Sequence, residues 1–156
     1  LFGDSEMFTN NNTMGMFLNN EYLKLNSVYF TNDELNMIND NTSWYLGNVD
    51  ANSYKLAKYI DINMSAYAAN TKSKGGLLRF GELMSGQFSQ SVNNTDYYLI
   101  TPNNMMRTLY VYSNGNVGYS DPGNPFSVKP ALNLKSNVII TGGDGTLQNP
   151  FTLALA

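Results

Sequence analysis

The chain has no cysteine and no histidine among its 156 residues. Lacking cysteine, it can form no disulfide, offer no thiol nucleophile and build no Cys-ligated zinc site. Lacking histidine, it has lost the commonest general base and metal ligand. A Ser-His-Asp triad, a Cys-His dyad and a His-rich zinc site are therefore all excluded within this chain. Charge is scarce too. Asp, Glu, Lys and Arg make up 13% of the residues, about half the usual share. The net charge is −3, so no basic field attracts nucleic acid or an anionic membrane. No apolar run approaches the ~18 residues of a membrane helix, and no signal peptide is visible. A chain that opens on Leu1 reads as a mature form or an excised fragment. These absences lead us to expect no cofactor, no metal, no nucleic-acid partner and no membrane contact within this segment.

What is present is apolar residues and amides. Hydrophobic residues are 42% of the chain, and the length suffices for one domain with a proper core. Polarity comes from Ser, Thr and above all 24 asparagines. Four Asn-x-Ser/Thr triplets begin at Asn11, Asn41, Asn63 and Asn93. So many asparagines produce roughly four such triplets by chance, and the triplets carry no information.

Local patterns divide the chain into short elements. Residues 1 to 20 read as a loose or strand-like segment with a turn at Asn10-Asn11-Asn12-Thr13. Tyr22 to Phe30 alternates weakly, as a strand does. Thr31 and Glu34 form a capping box that opens a short helix through about Asn39. Asp40 to Ser43 is a turn, and Trp44-Tyr45-Leu46-Gly47 a short strand whose Trp belongs in the core. Tyr54 to Ile60 is ambiguous between helix and strand. Asn70 to Gly76 is a polar loop, Gly76 to Phe80 a buried strand, and Gly81 to Phe88 a helical turn or two. Gln90 to Asp96 is a second polar loop.

Residues 97 to 140 are the most informative stretch. Tyr97 to Pro102, Leu109 to Tyr119 and Val128 to Ile140 are β-rich runs joined by turn residues. The middle run folds back at Asn114-Gly115, a dipeptide suited to a two-residue type I′ turn. Val138-Ile139-Ile140 and Phe151-Thr152-Leu153 are expected to pair as a terminal hairpin. We see no repeat of 20 to 50 residues and no second domain.

Several of these runs resemble a known class. "WYLGN" and "GLLRFGELMSGQ" upstream, then "YYLITP", "LYVYSNGNVGYSD" and "VKPALNLKSNVIITGGDGTLQNPFTL", are similar to bacterial extracellular domains of C-type-lectin-like type. Such domains occur in surface and pilin-like proteins of Gram-positive bacteria, and a similar fold carries the variable domains of diversity-generating retroelements. The resemblance implies an α+β fold in which two short helices pack on antiparallel strands, with ligand contacts from an irregular surface above the sheet. A Trp-Leu-Arg-Ser-Pro-like run of that class stands here as Tyr98-Leu99-Ile100-Thr101-Pro102, and an Arg-Pro pair as Lys129-Pro130. The calcium-dependent sugar motif, Glu-Pro-Asn or Gln-Pro-Asp followed by Trp-Asn-Asp, is missing.

Reactive constellations are weak throughout. Asp144 in Gly142-Gly143-Asp144-Gly145-Thr146 has no following helix for a phosphate loop and no companion carboxylates for calcium, so it reads as a tight turn. Glu82 reads as a first-turn helical Glu. An isopeptide cross-link using Glu82 with Lys129 or Lys135 is the sharper alternative. Asp33 with Glu34, or Asp50 with Asp61, has no visible reason to converge as an acid–base pair. Exposed Tyr and Asn around the Asn-Gly turn read either as a solvated edge of an Asn-rich protein or as a binding face, in which rings supply contact area and amides supply hydrogen bonds. Arg107, Tyr110, Tyr112, Asn114, Asn116 and Tyr119 are the expected ligand-binding residues. The expectation is a non-catalytic extracellular recognition or adhesion domain that binds a glycan or a protein. A structural subunit or tip component of a pilus-like filament is the alternative.

Overall fold

A computed structural model of the chain describes residues 1–46, 70–85, 95–103 and 106–156. The fold is α+β. A helix begins with an α-helical turn, α1 (Thr13–Met16), and continues as a π-helix, Phe17–Tyr22. Among the described residues two further helices follow, α2 (Asn32–Met37) and α3 (Phe80–Ser85). The strands are β1 (Thr42–Tyr45), β2 (Asn70–Ser73), β3 (Gly75–Leu77), β4 (Tyr97–Asn103), β5 (Arg107–Val111), β6 (Val117–Ser120), β7 (Pro130–Leu132), β8 (Val138–Gly142) and β9 (Thr152–Leu155). All pairings between them are antiparallel: β4-β5-β6, β1-β2, β3-β7 and β8-β9.

Strand β4 organises the centre. All seven of its residues are buried, as a near-continuous apolar run requires of a strand covered on both faces. Successive side chains alternate between the faces. Tyr98 and Ile100 enter a core with Tyr110 of β5, Trp44, Leu46 and Leu77. Tyr97 and Leu99 enter a second core with Leu109, Val111, Phe80 and Leu83. A third, smaller cluster joins Leu23, Leu35 and Ile38. The β4–β5 register shifts between Tyr98 and Pro102, at a residue that has no N–H to give to a ladder.

Residues 1 to 20 are not loose. Phe2, Phe8, Met14 and Leu18 are buried in the first core. The Phe2 ring lies 5.2 Å from that of Tyr98, and the Phe2 amide donates to the Pro122 carbonyl at 2.9 Å. Amide side chains make this possible. Asn12 caps α1 by accepting from the Gly15 amide at 2.8 Å. Asn19 binds both backbone groups of Gly75, accepting from its N–H at 2.9 Å and donating to its carbonyl at 3.2 Å. It thus meets the start of β3 much as a neighbouring strand would. The local sequence reads as a loose or strand-like segment, but its four large apolar residues decide the outcome.

Other expectations divide. The capping box forms: the Glu34 amide donates to Thr31 Oγ1 at 3.2 Å, and the Thr31 amide to Glu34 Oε2 at 2.8 Å. The helix ends at Met37, because Ile38 turns extended and bridges to Leu134. Tyr22 to Phe30 is not a strand. Tyr22 closes the π-helix, and the chain then turns through Asn26 at φ +58°. Asn70 to Ser73 is strand β2 and not a loop, since pairing with β1 overrides its polar composition. Beside it, the Trp44 ring lies on Gly76, where an added Cβ would sit 2.6 Å from the ring. The third β-rich run splits, β7 joining β3 and β8 pairing with β9 as the expected terminal hairpin. The expectations for Gly47, Tyr54 to Ile60 and Gln90 to Asn94 lie outside the described residues. Among the described residues no helix is long and apolar enough to cross a membrane.

Phe8→Ala tests the placement of the N-terminal segment. We expect a loss of about 3–5 kcal/mol in unfolding free energy, measured by denaturant titration, as for other core aromatics. A loss below about 1 kcal/mol would place Phe8 at the surface.

Candidate functional site

The β5–β6 hairpin carries all six residues expected to bind. Its turn differs from the expected type I′. Of Asn114 and Gly115 only the glycine takes a positive φ, +87°. The Gly115 amide donates to the Tyr112 carbonyl at 2.9 Å and the Tyr112 amide to the Asn116 carbonyl at 2.8 Å. This is a type I turn followed by a left-handed glycine, the usual three-residue hairpin loop. Asn114 keeps its ordinary backbone because its Oδ1 accepts from the Asn116 amide at 3.0 Å. The Ser113 amide donates to Asp96 Oδ1 at 2.8 Å, which ties the tip to the residue before β4.

The structure divides the six residues between both faces of the sheet. Tyr110 and Tyr112 share one face, their rings 4.5 Å apart and edge to face. Both lie over Gly118, which pairs with Tyr110 across the hairpin. Leu109 stands directly opposite Tyr119, and opposed residues project to the same side. Arg107 and Tyr119 therefore occupy the other face, with the guanidinium 5.0 Å from the Tyr119 ring centre. Asn114 and Asn116 are exposed at the tip between them.

Burial separates the residues further. Tyr110 is only 6% exposed and belongs to the first core. Its ring stacks on Phe126 at 4.4 Å. Burial first, then the hydrogen bond to Tyr112, pushes its hydroxyl pKa strongly upward. Tyr110 is thus a support and not a contact surface, which corrects the expectation. The alternation of strand residues was legible, but not that Phe126 returns to cover this face. Tyr112 and Tyr119 are 39% and 46% exposed. Asn103, at the end of β4, is buried.

The loop after β6 is pinned from below. The Tyr98 hydroxyl donates chiefly to the Asn124 carbonyl at 2.5 Å, with the Asp121 and Pro122 carbonyls at 3.3 Å. Burial, reinforced by the negative charge of Asp121, pushes its pKa up to about 12. On the other face the Lys129 ammonium sits 4.0 Å from the Tyr97 ring centre.

Carboxylates with resolved partners serve local structure. Glu34 sits below its ordinary range because the Thr31 amide and hydroxyl donate to it. Asp144 is lowered by the Thr146 hydroxyl, then by the Thr146 amide. Both shifts run opposite to what a general acid at neutral pH needs. Asp144 lies in a turn flanked by Gly143 and Gly145 at φ +83° and +81°. Glu82 accepts from the Arg79 amide at 2.9 Å and pairs with the Arg79 side chain. Among the described residues no group of three or more acidic side chains gathers as a metal site. Asp50 and Asp61 lie outside them.

Two features escaped sequence reasoning. Tyr22, Tyr29 and Phe30 form an aromatic cluster, with Tyr22 4.7 Å from Tyr29 and 5.1 Å from Phe30. A strand assignment for 22–30 hid it. A groove of about 460 Å³ also opens between α2 and the terminal hairpin, lined by Phe30, Met37, Leu132, Leu134, Phe151 and Leu153 among others. Comparison of the chain with family models, with curated proteins and with solved structures finds no match in any of the three.

Tyr98 yields a pH prediction. A hydroxyl that holds its proton more tightly folded than unfolded stabilises the fold below the unfolded value near pH 10, and that contribution is lost as pH rises toward 12. Tyr98→Phe is expected to cost about 1 kcal/mol at neutral pH through the lost hydroxyl bond. It also flattens the alkaline decline in melting temperature. An unchanged decline would mean that Tyr98 does not sense the fold. Gly115→Ala is expected to cost about 1 kcal/mol by thermal melting. A neutral result would remove the left-handed turn.

Proposed function

We propose that this chain is a non-catalytic recognition domain of C-type-lectin-like type, displayed at or beyond the surface of a bacterium. It binds a glycan or a protein through the end of the β5–β6 hairpin. One observation carries the reading. Arg107, Tyr112, Asn114, Asn116 and Tyr119 are exposed on a hairpin whose Leu109, Tyr110 and Val111 are buried. Rings held by a buried strand lose little further entropy on contact, which is the economy binding surfaces exploit. The Ser113, Gly115 and Asn116 amides are already used internally, so recognition falls chiefly to side chains and carbonyls. Antiparallel strands with short helices and a closing C-terminal hairpin support the fold half of the proposal. The carboxylates engaged in caps and turns support the non-catalytic half.

The test is binding to an array of immobilised glycans and a panel of host-surface proteins, comparing wild type with Tyr112→Ala/Tyr119→Ala. We expect binding to weaken by about 30-fold or more, the scale of lost aromatic anchors, with the melting temperature within a few degrees. Tyr110→Ala, by contrast, lowers stability by about 3–5 kcal/mol as a core aromatic does. Undiminished binding by the double variant would overturn the assignment of the hairpin.

A further inference from the structure

The C-terminal hairpin differs from the other two-stranded pairs in the exposure of its apolar side chains. Strands β8 and β9 pair with each other, and among the described residues no third strand joins them. A two-stranded ribbon is marginal in water unless a further layer covers it. Val138 stands opposite Leu155 and Ile140 opposite Leu153, so these four side chains share one face. Val138 is half-buried, and among the described residues the rest of that face is left open. Ile140 is 61% exposed and Leu153 and Leu155 are exposed beside it, with Phe151 51% exposed at the strand's start. Phe151 and Leu153 continue into the groove against α2, where Leu134 is also exposed.

We propose that a second copy of this chain covers this face, in a two-fold interface that apposes the two hairpins. Three properties favour a copy over a foreign partner. First, Val138–Gly142 and Thr152–Leu155 carry no charge and no proline, so the strands lack the usual devices against association and offer no charge pattern for a different partner to read. Homodimer interfaces are the more apolar class. Second, Leu134, Ile140, Phe151, Leu153 and Leu155 are each left 38–61% exposed, a contiguous set of large apolar side chains of the kind that fills the centre of a dimer interface. Third, an isologous arrangement apposes the same patch on both copies. With the strands antiparallel, the Asp144 turns lie at opposite ends, and the one charge of the hairpin meets no like charge.

Sedimentation equilibrium of the full chain at about 100 µM, well above a micromolar Kd, tests this. The expected mass is twice 17.3 kDa. Ile140→Lys and Leu153→Lys, made separately, are each expected to weaken the dimer on the order of tenfold or more. Both positions are exposed in the single chain, so circular dichroism and melting stay near wild type, and two variants guard against one misfolding. A monomer at 17.3 kDa overturns the proposal and leaves the face to a partner of other composition. A dimer that survives both lysines, or an open-ended assembly, overturns it as well. The hairpin shares no residue with the β5–β6 tip, so each proposal stands or fails alone.

Discussion

The structure depends on burying β4 from both sides at once. Tyr98 and Ile100 look one way, Tyr97 and Leu99 the other, and a separate core closes on each. The segments that close them come from distant parts of the chain. Phe2 and Phe8 arrive from the N-terminus, Trp44 from β1, and Phe80 and Leu83 from α3. The start of α3 and the residues just before it dock onto the same strand through backbone and side-chain bonds. The Ile100 amide donates to the Leu78 carbonyl at 2.9 Å, and the Phe80 amide to Thr101 Oγ1 at 2.9 Å. Each apolar side chain sunk here contributes about 1.5–3 kcal/mol relative to exposure. Local propensity therefore has little say in how the flanking pieces fold.

Tyr98 links that core to the candidate site. Its ring packs against Phe2 and Phe126, and its hydroxyl holds the loop at Asp121 to Asn124. Phe126 in turn stacks on Tyr110, beneath Tyr112. Asparagines do elsewhere what charges do in more polar proteins. Asn12 caps a helix, Asn19 completes β3, and Asn10 donates to the Lys72 carbonyl at 2.9 Å. Amides both donate and accept, so a chain with few charges can still satisfy backbone that runs without a strand partner. That makes an Asn-rich composition a structural resource before it is a binding surface.

Much was legible where pattern and packing agree. The capping box at Thr31 and Glu34, the strand at Tyr97, the β5–β6 reversal and the terminal hairpin all carry local signals that tertiary contacts reinforce. The failures share a cause. Residues 1 to 20 look loose or strand-like and 70 to 73 like loop because their polar residues outnumber the apolar ones, yet Phe2, Phe8, Met14 and Leu18 bury completely or nearly so, and β2 follows its partner. Composition averages over a segment, whereas burial acts on individual side chains. At the candidate site, alternation placed Tyr110 with Tyr112 but carried no information on Phe126, sixteen positions after Tyr110. A one-dimensional pattern gives the face of a strand and not what lies above it. The split of Arg107 and Tyr119 onto the opposite face needed the cross-strand register as well.

The central claim is that the doubly buried strand holds an exposed hairpin end rigid. Native-state amide hydrogen exchange tests it most directly. The account predicts that Leu99 and Ile100 exchange only through global unfolding. It further predicts that the exposed Ser113 and Asn116 amides, bonded to Asp96 and Asn114, exchange well below free-peptide rates. Free-peptide exchange at Ser113 and Asn116 while β4 stays protected would contradict it, because the tip would then be mobile on a rigid base.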